Sequence, residues 1–153
     1  MTLPMSTCKK RLTVVWVAGA GLVCVIVLLQ TLMGHYGDKV SDVWGWLMPA
    51  VMPTFALIAA VWTIDVRAKE TKSEFVDSFV FWLALGLSIT YLSVLALTIV
   101  IQPLVVASPE GYVDLMHRSG FFIGPFQGVV TASLGAFFVK KESESGPSPR
   151  AEA

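Results

Sequence analysis

Two pairs of residues have the types and spacing for acid–base or metal chemistry. His35 with Asp38, and Asp114 with His117, stand three positions apart, which on a helix puts both members of a pair on one face. Imidazole titrates near neutral pH and binds divalent metals, and a carboxylate can orient it or share the metal. Polar connecting segments carry such residues without any function, so no metal is assigned on this spacing alone. Haem between the two histidines is disfavoured further, because neither lies well inside a helix that could enclose a porphyrin. The chain has no glycine-rich phosphate loop, paired-cysteine motif or nucleophile elbow.

A second group is polar but uncharged and lies inside apolar runs: Ser88, Thr90, Tyr91 and Ser93 in one run, Gln127, Thr131 and Ser133 in another. In lipid such groups either hydrogen-bond between helices or line a narrow wet path, and the first role is the commoner. Tyr91 and Gln127 fall at similar depth on opposite-running segments, which predicts a hydrogen bond between them. No charged residue sits in mid-membrane, which argues against transport driven by a buried carboxylate. Asp65 and Asp77 lie at the ends of their runs near Arg67, Lys69 and Lys72, where surface pairing accounts for them.

The last apolar run carries Gly120, Gly124, Gly128, Ala132 and Ala136 four residues apart, an extended GxxxG pattern. Lipid supplies no hydrophobic force between helices, so they associate where small residues let backbones approach. The stripe therefore predicts a packing surface, used either within one bundle, against Gly86, Thr90 and Ser93, or between copies. Pro49, Pro53 and Pro125 interrupt two runs. Each lacks an amide donor and disturbs the carbonyl four residues earlier, leaving those of Gly45, Pro49 and Phe121 free or weakly bonded. Such interruptions are usually kinks, and in corresponding positions of two halves they can instead mark a ligand site.

These residues need elements to hold them. A chain of 153 residues that is 55% hydrophobic and 14% charged has too little polar surface for a soluble fold. Four apolar runs, about 12–33, 44–66, 78–101 and 120–139, reach the roughly 20 residues a membrane helix needs. The expected fold is an all-α integral membrane bundle of four helices, with sequential helices as antiparallel neighbours. The first run exceeds the roughly 7–15 apolar residues of a signal-peptide core and reads as a retained helix. Ser108, Pro109 and Glu110 form a helix-start signal, which predicts a short interfacial helix before the last span. Residues 140–153, rich in Ser, Pro and Glu, read as a disordered tail.

Net charge is zero, yet nine of the eleven basic residues fall on one side if the N-terminus is cytoplasmic, with only Lys39 and Arg118 opposite. That sorting places both termini in the cytoplasm and suits a multi-pass plasma-membrane protein. Trp44, Trp46, Tyr112, Phe121 and Phe122 would then mark the outer interface, and Trp16, Trp62, Trp82, Phe137 and Phe138 the inner one. Cys8 and Cys24 lie about 24 Å apart on a helix and cannot bridge. Cys8 reads as an inert thiol rather than a lipidation site.

The function these features favour is non-enzymatic: a small polytopic subunit that assembles with itself or with a membrane partner, as a pore or a membrane-perturbing effector. The alternative is an auxiliary or transport subunit holding a small ligand between the Pro-kinked helices. A membrane enzyme using the His and Asp pairs ranks third. The expected partners are the bilayer and another membrane chain, with no cofactor and no nucleic acid.

Overall fold

The computed structural model describes residues 2–67, 75–106 and 108–139. It is an all-α bundle of four long helices: α1 (Met5–Leu32), α2 (Val40–Arg67), α3 (Ser78–Val105) and α4 (Pro109–Val139). Each is long and apolar enough to cross a membrane, so the chain is a multi-pass membrane protein in architecture. The tail at 140–153 and the basic residues Lys69 and Lys72 lie outside the described residues.

The helices run past the apolar segments that announce them, because a chain entering or leaving lipid satisfies its backbone by continuing the helical ladder. α1 starts at Met5 and takes in Cys8, Lys9, Lys10 and Arg11. Cys8 is buried, so its thiol faces the core and not the lipid boundary. α3 continues through Pro103 to Val105, which moves Gln102 from the expected loop into the helix. The helix-start signal at Ser108 is used, but for α4 itself and not for a separate interfacial helix. Ser108 Oγ accepts from the Gly111 amide at 3.3 Å, and the 31-residue helix then runs unbroken to Val139. The connection from α3 to α4 is thereby cut to residues 106–108.

That turn is tight and favours glycine. A Cβ at Gly111 would clash with Cγ1 of Val106, so any side chain at position 111 would force Val106 to move. The turn from α1 to α2 is built on Gly34 and Gly37, both at positive φ, followed by a single 3₁₀ turn at Gly37–Lys39. At the opposite end, β1 (Thr2–Pro4) and β2 (Phe75–Asp77) form a short antiparallel ladder that leads directly into α1 and α3. Asp77, expected to serve in surface pairing, caps α3 by accepting from the Phe79 amide at 3.0 Å.

The packing order around the bundle is α1, α3, α4, α2, so α2 and α3 face each other across the diagonal although they are consecutive in sequence. Sequential helices are therefore not all neighbours. α1 and α2 touch only lightly, with Trp62 Nε1 donating to Thr13 Oγ1 at 3.0 Å. The core is one continuous cluster along the inward seams, including Leu12, Trp16, Ala20 and Val23 on α1 and Leu47, Val51 and Ile58 on α2. Trp16, Tyr112 and Phe137, expected at the interfaces, belong to this core. Their helical positions put them on the inward seams, and that outweighs the interfacial preference of the ring. Phe121, Phe122 and Trp82 do face outward.

Candidate functional site

The proline-interrupted stretch of α2 is where polar groups from two other helices converge. Pro53 has no amide proton, so the carbonyl of Pro49 loses its helical donor. Gln127 on α4 supplies a replacement, with Nε2 donating to Pro49 O at 2.8 Å. One residue on, the Tyr91 hydroxyl donates across the bundle to Ala50 O at 2.8 Å. Tyr91 and Gln127 thus do not bond each other, as their depth alone suggested; each reaches the backbone of α2. Tyr91 is fully buried, 5.9 Å between ring centroids from Trp16 and 5.7 Å from Phe126. Its ring links α1 and α4, and its hydroxyl links α3 to α2.

The other neutral groups divide by direction. Ser88 is buried and bonds back to Ala84 O at 2.8 Å, and Ser133 bonds back to Val130 O at 2.8 Å. Thr90 and Ser93 lie on the outward face of α3, where Thr90 bonds to Gly86 O at 2.9 Å. Among the described residues, Trp16 Nε1, Thr54 Oγ1, Thr131 Oγ1 and both amide atoms of Gln102 are buried without a hydrogen-bond partner. Thr54 and Gln102 stood out by nothing in the sequence. A threonine in an apolar run is unremarkable, and Gln102 follows the last residue of an apolar run and precedes a proline.

The small-residue stripe faces away from the bundle. Tyr112, Met116, Ile123, Val130, Leu134 and Phe137 form the buried seam of α4, while Gly124, Gly128, Ala132 and Ala136 are exposed and Gly120 is half-buried. Nothing lies within 4 Å of the position a Cβ would take at Gly120, Gly124 or Gly128. The Gly86, Thr90 and Ser93 face of α3 is likewise exposed, so the two small faces do not meet inside the chain. Pro49, Pro53 and Pro125 also point outward.

The titratable pairs separate. Asp114 forms an ion pair with Arg118 at 2.8 Å, four residues on, while Asp38 and His117 are exposed. His35 stacks on Tyr112 with ring centroids 4.7 Å apart, beside Tyr36, whose hydroxyl donates to Gln30 Oε1. Burial, with a smaller contribution from Tyr112, pushes the Tyr36 hydroxyl up to about 12. Among the described residues no three His, Cys, Asp or Glu side chains come together as a metal-binding group.

Compared with known proteins, the chain matches no family model, no curated protein sequence and no solved structure.

Proposed function

We propose that this protein is a non-enzymatic membrane subunit that associates through α4, with a second copy of itself or with another membrane protein. The observation that carries the reading is the open face at Gly124 and Gly128. These glycines are exposed, lie four residues apart in a span, and have free space where a side chain would be. In lipid that geometry suits close backbone contact with a partner helix. α4 is also the span least covered by its own chain: 22% of its apolar window is buried, against 33% in α2 and α3. Association of several copies would give the outward hydroxyls of Thr90 and Ser93 partners in mid-membrane or a polar path between subunits. The ligand-site alternative is weakened because Gln127 already takes the carbonyl that Pro53 frees.

Native mass spectrometry from mild detergent tests the reading on the natural chain and on Gly124→Ile and Gly128→Ile. A defined oligomer, or a retained partner, that both variants lose is the expected result. Both sites are open within the chain, so the variants should keep the natural far-UV spectrum and melting point. A monomer in every case, with no partner retained, would overturn the proposal.

A further inference from the structure

On the lipid-facing surface between α3 and α4, toward the end where the two helices join, a groove of about 330 Å³ is lined by Val94, Leu97, Ile101, Leu115, Arg118 and Phe122. Thr98 and Ser119 also line it, but their hydroxyls are turned back onto the Val94 and Met116 carbonyls, so Arg118 is its one charged group and the rest of the wall is apolar. From Ser119 to Val139 α4 carries no charged residue. Those residues span about 31 Å of helix, close to the thickness of the hydrocarbon layer. Arg118 therefore stands at the hydrocarbon boundary, with Phe122 one turn deeper and Asp114 one turn further out. The order along α4 is apolar, then cationic, then anionic. A phospholipid with an ammonium headgroup has the complementary order: acyl chain, phosphate, ammonium.

We infer that this groove binds a zwitterionic phospholipid of the phosphoethanolamine class, with one acyl chain along Val94, Leu97 and Phe122, the phosphate on Arg118 and the ammonium on Asp114. The two side chains already lie 2.8 Å apart, through Arg118 Nη2 and Asp114 Oδ2, and both are well exposed. A guanidinium has five donors and a carboxylate two oxygens, so each can serve the lipid while keeping the other. Asp114 decides the headgroup. It pairs with an ammonium that the neutral glycerol headgroup of an anionic lipid lacks, leaving that lipid's phosphate charge uncompensated beside a carboxylate, and it accepts hydrogen bonds from a primary ammonium that a trimethylated choline cannot offer. The inference depends on the membrane-spanning architecture and not on association through α4.

The test is native mass spectrometry of the full chain titrated with phosphatidylethanolamine, phosphatidylcholine and phosphatidylglycerol of identical acyl chains. The natural chain should hold phosphatidylethanolamine about fivefold more tightly than the other two, as one exposed charge pair allows. Arg118→Gln should weaken all three lipids. Asp114→Asn should abolish the preference over choline and shift it toward the glycerol headgroup. Leu97→Ala should weaken all three without changing their order. The three side chains are exposed, so these variants should melt as the natural chain does. Equal binding of the three lipids, a preference of the natural chain for the anionic one, or indifference to Arg118→Gln and Asp114→Asn would each overturn the inference.

Discussion

Gln127 and Gln102 are the same amide in two settings, and they should respond oppositely to the same substitution. Gln127 satisfies a carbonyl that has no helical donor, so Gln127→Leu leaves Pro49 O unbonded and should cost about 1 kcal/mol in a thermal or denaturant melt. The cost should shrink in a Pro53→Ala background, where position 53 regains an amide and the helix can bond that carbonyl itself. Tyr91→Phe should cost less, since Ala50 O keeps the Thr54 amide as its helical donor. Gln102 is fully buried with neither amide atom partnered, so Gln102→Leu should raise stability by about 1 kcal/mol. A fall in the melting point of that variant would show that its amide is paired. The first glutamine was half legible in the sequence: proline spacing identified the needy carbonyl, but depth pointed to the wrong acceptor for the amide. The second was hidden, because a helix carried through Pro103 is not what a proline after an apolar run suggests. Tyr36 supplies a pH dependence. Its folded pKa of about 12 lies above the ordinary 10, so the folded state holds the proton more tightly. Its contribution is complete below pH 10 and should be lost as pH rises from 10 through 12. Melting curves across that window should fall more steeply for the natural chain than for Tyr36→Phe.

Among the elements, the glycines of α4 divide into one that is enclosed and several that are open, and alanine distinguishes them. At Gly111 the added methyl clashes with Cγ1 of Val106 in the α3–α4 turn, and Gly111→Ala should destabilise by about 1–3 kcal/mol. At Gly124 the methyl meets nothing within 4 Å, and Gly124→Ala should be neutral or stabilise the isolated chain by up to about 1 kcal/mol through helix propensity. Melting points of the two variants at a protein concentration that keeps the chain monomeric make the comparison. The four spans were readable because composition and length are enough to identify a membrane helix. Helix ends were not, since the apolar run reports hydrocarbon thickness while the backbone ladder continues into the headgroup layer. The Ser108–Pro109 start signal was sound chemistry applied to the wrong element: it begins the span and not a separate interfacial helix.

For the whole molecule, membership of the bundle followed from hydropathy, but the order of helices around it did not. Short connections suggest sequential neighbours. The ladder at the starts of α1 and α3 joins those two helices side by side, and α2 lies opposite α3. No periodicity in the sequence encodes which outward face meets lipid and which meets a helix from elsewhere in the chain. The sorting of basic residues does make a claim about orientation. With Cys8 and Cys24 replaced by Ser, a cysteine at Asp38 should react with an impermeant thiol reagent in intact cells, and one at Lys141 only after the membrane is opened. The packing order also has a consequence in time. During synthesis α1 and α2 emerge first, yet they touch each other only lightly, and their main partners, α3 and α4, are still to be made. The nascent first half is thus a pair of apolar helices with polar groups such as Thr54 and Trp16 Nε1 open to lipid, an exposed client of the insertion machinery until the second half arrives. A ribosome that stalls after α2 would leave a product for membrane quality control to remove.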